Sequence, residues 1–189
     1  MRVQSRSLLE RVARTIAQPR PSSPEYAASL LARVASAYSA QPVIDDAEGL
    51  GDFDAGAAAL FEAVVEAAFL VANADGVFDA DERAAFQTVV AAACENVVQL
   101  RRLEALTADF AEQLAADGVE KRVLMVARTI ADRDQQLEVL RIAGLMAHVS
   151  GGVSDVERRV IGLLADGFGL ELEDVDETLA QAADALDLG

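Results

Sequence analysis

Asn73-Ala74-Asp75-Gly76-Val77-Phe78-Asp79-Ala80-Asp81-Glu82 sits between two long apolar stretches and decides how the chain folds. Three Asp and one Glu fall within eight residues around a single Gly. Asp75-Gly76 reads as a turn. Asp79 followed three residues later by Glu82 reads as a helix start, with side chains satisfying free amides of the first turn. The stretch is therefore a bend between two helices. Before it, Leu60, Phe61, Val64, Val65, Ala68 and Phe69 keep a 3.6-residue rhythm from Asp54 to about Ala74. After it, Phe86, Val89, Val90 and Ala93 form the inward face of the next helix.

The rest of the chain reads the same way. Helices are expected over 96–116 (Leu100, Leu103, Phe110 and Leu114 inward), 119–131 (Val123, Leu124, Val126, Ala127 and Ile130 apolar) and 137–149, apolar on most sides and so central. Ser154 with Glu157 caps the next, which Gly169 ends, and 173–187 is the last. These make seven helices from Asp54 on. Ahead of them, 3–17 is amphipathic, with Val3, Leu8, Val12 and Ile16 on one stripe, and Ser23-Pro24 signals a helix over 24–39. The expected fold class is all-α. Residues 1–50 form a basic helical arm and linker, and 51–189 a compact helical domain.

A shift of 75 positions lays the chain on itself. Ala68, Leu70, Ala72, Gly76, Glu82 and Arg83 meet Ala143, Leu145, Ala147, Gly151, Glu157 and Arg158, and the cap Asp79 meets Ser154. Two helix–bend–helix units can bury both apolar stripes face to face. They differ at the bends: Asp75 becomes Ser150, Asp81 becomes Val156, and Asn73 becomes His148.

Composition narrows the function. Of 189 residues, 52% are apolar and 5% aromatic, and helix formers dominate. The net charge of −16 would repel a phosphate backbone, which argues against nucleic acid. The charge is uneven: residues 1–41 carry six Arg against Glu10 and Glu25, the remainder ten basic residues against thirty acidic. Such an arm can fold back on the acidic body, dock on a partner, or lie on an anionic membrane through residues 1–20. Glu62 and Glu66 interrupt the best candidate for a membrane span, and Arg11 and Arg14 break any secretory leader, so a cytoplasmic protein is expected. Cys94 lies in an Ala/Val run as a buried thiol. A single His and no Gly-rich phosphate loop point to a non-catalytic protein; a metal-dependent hydrolase built on Asp75 and Glu82 is the enzymatic alternative.

Clustered carboxylates repel one another, and a bound cation is one reason to gather them. Asp75, Asp79 and Glu82, helped by Asp81 and Asn73, would suit Ca²⁺, Mg²⁺ or Mn²⁺. The competing reading is that Asp79 and Glu82 only cap and Asp75 only turns the chain. An EF-hand fits in part, with Gly76 as the sixth loop position and Glu82 as the last. Its first ligand would be Val71, and in the second copy Met146, neither of which offers a side-chain oxygen.

The repeated pattern, Ala72-Asn73-Ala74-Asp75-Gly76 then Asp79-Ala80-Asp81-Glu82, and Ala147 to Glu157 in the second copy, resembles the TerB-like family, helical domains linked to tellurite resistance. Phe168-Gly169-Leu170 looks like that family's usual helix end. The resemblance covers about residues 54–189 and not 1–50. It implies a compact seven-helix domain with an acidic metal-binding surface, acting in bacterial stress response within protein complexes at the inner face of the membrane. Asp75 and Glu82 match the family's acidic positions and Asp79 its capping position; the second copy departs at Ser150.

Overall fold

The computed structural model describes residues 6–20, 27–40, 54–149 and 152–187. Those residues form nine helices and no strands: α1 (Arg6–Ala17), α2 (Leu30–Ser39), α3 (Ala55–Ala72), α4 (Ala80–Ala93), α5 (Leu100–Asp117), α6 (Val119–Thr129), α7 (Arg133–Ala147), α8 (Asp155–Phe168) and α9 (Leu172–Asp187). The protein is all-α, and among the described residues seven helices follow Asp54 and two precede it.

The two central helices are the first helices of the two repeat units. Residues 63–71 of α3 and 136–147 of α7 are buried without a break, and the two helices pack on each other. Around them, α2, α5, α6 and α8 lie against α3, while α1, α8 and α9 lie against α7. The repeat is visible in the helix ends: α3 and α7 end, and α4 and α8 begin and end, 75 residues apart.

The segments before Asp54 join this same core. Val12, Ala13 and Ile16 of α1 are buried against α4, α7 and α9, and Leu30, Leu31 and Val34 of α2 against α3. Burying Val, Ile or Leu contributes about 1.5–3 kcal/mol each, so these apolar faces are occupied by the body itself. Tyr38 stacks on Phe61 with ring centroids 4.6 Å apart. Arg102 of α5 donates to the carbonyls of Tyr38 and Ser39, the free end of α2.

Several boundaries move. The α2 helix starts at Leu30, with Ser29 as its cap accepting from the Ala32 amide; Ser23 and Pro24 lie outside the described residues, as do Val3, the 41–53 connector and Ser150-Gly151. The α7 helix begins four residues earlier than expected, because Asp132 accepts from the Gln135 amide and so caps a helix where a turn was expected. Leu100 was expected inward and is exposed, as is Leu124 of the apolar set on α6; Leu106 and Thr107 fill the α5 face in place of Leu100. The α3 helix is, by length and composition, long and apolar enough to cross a membrane despite Glu62 and Glu66. It serves here as a core helix.

Glu66 reconciles that helix with its charge. Its two oxygens receive Nε and Nη2 of Arg122 at 2.6 and 2.9 Å, and Asp117 takes Nη1 at 3.4 Å. A buried carboxylate paired bidentately with a guanidinium avoids much of the desolvation cost. Glu62 lies one turn earlier on the same helix. Its carboxyl is pushed above the ordinary range by burial, then by Glu66 and Asp109.

Candidate functional site

Both bends run from the end of one helix to a reciprocal cap on the next. At the first, Asn73 closes α3, its N–H donating to the Phe69 and Val71 carbonyls. Gly76 donates to the Asn73 carbonyl at 3.0 Å and takes φ +77°, a left-handed value that glycine adopts without strain. Asp75 Oδ1 accepts the Val77 amide at 2.9 Å, which tightens the turn. Asp79 then opens α4: its Oδ1 accepts the Asp81 and Glu82 amides, both at 2.9 Å, and Glu82 Oε2 accepts the Asp79 amide at 3.1 Å. This is the reciprocal cap that the spacing predicts.

The second bend repeats the cap with a hydroxyl in place of a carboxylate. His148 closes α7, and Gly152 donates to the Ala147 carbonyl at 3.2 Å. Ser154 Oγ accepts the Glu157 amide at 3.3 Å, and Glu157 Oε2 accepts both the Ser154 amide and its hydroxyl at 2.8 Å. Glu157 is buried, whereas Glu82 is half-buried.

The two bends meet across a cleft of about 460 Å³. Asp75, Glu82, Glu157 and Ser154 line it together with the apolar Ala72, Val77 and Val153. Of the five residues expected at a site, Asp75 and Glu82 therefore face this cleft. Asp79 is turned to its own helix, Asp81 is exposed in the first turn of α4, and Asn73 is the end of α3. Glu157 was not among the expected site residues. Its signal was present in the 75-residue shift, which pairs it with Glu82.

The donor chemistry tests the cation reading. Among the described residues, no three His, Cys, Asp or Glu side chains come together as a metal ion needs. One oxygen each of Asp75, Asp79, Glu82 and Glu157 already accepts backbone amides. As arranged, the bend carboxylates are capping groups that share a cleft, and they do not form an assembled ligand set.

Nucleophilic chemistry finds little support nearby. Cys94 is buried at the end of α4, and burial pushes its thiol up to about 12, far from the thiolate needed for attack. Among the described residues, no Cys, Lys or His lines the cleft, and the Ser154 hydroxyl there is spent on the Glu157 cap.

No protein-family model matches the chain, and no curated protein and no solved structure matches it.

Proposed function

We propose that this protein is a non-catalytic helical interaction module of the TerB-like kind, and that its working surface is the cleft between the two bends. The observation that supports this reading is the lining of that cleft: acidic residues from both repeat units together with apolar ones. Such a surface suits a positively charged group of a protein partner, carried on an apolar stem. The bacterial stress-response role, the cytoplasmic setting and membership of a complex at the inner membrane rest on the motif resemblance alone. Direct membrane contact through residues 1–20 would require α1 to lift Val12 and Ile16 from the core.

A second reading places a divalent cation, Ca²⁺, Mg²⁺ or Mn²⁺, in the same cleft. It is favoured by the presence of Asp75, Glu82 and Glu157 in the lining of one cleft, and opposed by their engagement with backbone amides and by the spacing of the acidic side chains, no three of which come together among the described residues. Calorimetric titration of the full chain with each ion separates the two. The module reading expects no saturable heat at concentrations below roughly millimolar, the weak end for protein calcium sites. It also expects Asp75→Asn/Glu82→Gln to lose the proteins that co-purify with the unaltered chain. Retention of every such protein by the double variant would sink the cleft as the working surface.

A further inference from the structure

Helix α7 carries Asp134, Glu138 and Arg141 at spacings of four and three, which places them along one side of the helix. All three hold the chain that precedes the body. Arg141 is 3% exposed; its Nη2 donates to the Thr15 carbonyl at 2.6 Å and its Nη1 to the Gln18 carbonyl at 3.1 Å. Those carbonyls lie at the end of α1, so a guanidinium occupies the negative end of that helix. Glu138 is also 3% exposed, and its Oε1 accepts the Leu30 amide at 2.6 Å. That amide opens α2, so a carboxylate occupies the positive end of that helix. The Asp134 carbonyl accepts from Arg20 at 3.4 Å, between the two.

The two helix ends also touch directly. Ser29, 0% exposed, donates its N–H to the Ala17 carbonyl at 3.0 Å and caps α2 through its hydroxyl. Glu138 and Arg141 depend on each other electrostatically. Burial pushes the Glu138 carboxyl up; the Leu30 amide and then Arg141, Arg33 and Arg20 pull it back. Burial pushes Arg141 down, and Glu138 opposes that push while Arg20 adds to it. Burial thus opposes the charge of both groups, and the field between them offsets that cost only in part.

We infer that α1 and α2 seat on the body and leave it as one unit, because a single pair of opposite charges on α7 ties the end of the first helix to the start of the second. Removing Glu138 leaves Arg141 buried beside the like charge of Arg20, and removing Arg141 takes from Glu138 the strongest of the three guanidinium fields that act on it. The damage therefore crosses to the helix that the altered residue does not touch. Opening of the unit lets water reach both groups at once.

Hydrogen exchange of the full chain under native conditions, resolved by helix, tests this. Arg141→Gln should speed exchange in α2 as well as α1, and Glu138→Gln in α1 as well as α2, by about tenfold or more, as expected for loss of a charged hydrogen bond. Amides of α3 and α5 should stay at their original rates. If each variant speeds only the helix it contacts, or if all helices speed together, the inference is overturned. Should a variant fail to fold, the unaltered chain in rising urea decides: one shared opening free energy and slope for α1 and α2, below that of α3, supports the unit, and separate slopes overturn it.

Discussion

The two helix–bend–helix units share their register and caps, yet their helices find different neighbours. In the first, Phe69, Phe78 and Phe86 meet edge to face, with ring centroids 5.3 to 6.3 Å apart, and Phe110 of α5 joins Phe69 at 5.8 Å. In the second, the corresponding positions are Gly144, Val153 and Ile161. The aromatic wedge fills the first hairpin, and α4 finds its main neighbours in α1 and α5. Without that wedge, α8 folds back on α7, and α9 lays Leu179 where the first ring would have been. Local sequence sets where helices begin and end; side-chain volume sets what they touch.

The same inversion holds for charge. Glu66 of α3 corresponds to Arg141 of α7, and both are buried. Glu66 takes its partner from α6, whereas Arg141 takes carbonyls from the chain before the body. One position in the repeat is therefore used twice to anchor a neighbouring element, with opposite sign.

The largest expected test of this contrast is Phe69→Ala. It removes the ring at the centre of the wedge and should cost about 3–5 kcal/mol in urea denaturation. A loss below about 1 kcal/mol, the scale of a volume-conserving swap, would break the claim that aromatic packing distinguishes the first unit. Next is Gly144→Ala, where a Cβ would stand 2.6 Å from the Leu179 side chain. Overpacking should cost about 1–3 kcal/mol, and Leu179→Ala in the same chain should recover part of it, a coupling that a double-mutant cycle measures. The smallest concerns the caps. Asp79→Ala and Ser154→Ala should each cost about 0.5–2 kcal/mol, with Ser154→Ala the larger. Its hydroxyl also donates to the buried Glu157, whereas the half-buried Glu82 keeps access to water. Equal thermal shifts would erase that difference between the bends.

Helix ends were legible wherever the signal was local. The Asp79–Glu82 and Ser154–Glu157 boxes and the left-handed Gly169 stand where their spacing placed them, and the 75-residue repeat follows. The start of α2 was not legible. Ser23-Pro24 and Ser29 are both sound caps locally, and Glu138, 108 residues away, accepts the amide at Leu30. Leu100 and Leu124 obey the apolar rhythm, but their helices carry more apolar positions than there is core to cover them. The cleft was half legible. Asp75 and Glu82 stood out by composition; Glu157 joins them only because the bends face each other, a fact of tertiary packing. Asp79, by contrast, was read for both cap and ligand, and in the structure its Oδ1 serves as the cap.

Cys94 carries a practical consequence. It is the chain's only cysteine, it ends α4 beside the two left-handed residues Glu95 and Asn96, and its thiol stays protonated at neutral pH. An alkylating reagent needs a thiolate and a path to it. The protein thus holds a silent probe whose modification rate clocks how often the corner between α4 and α5 comes apart, with no label added and no residue changed.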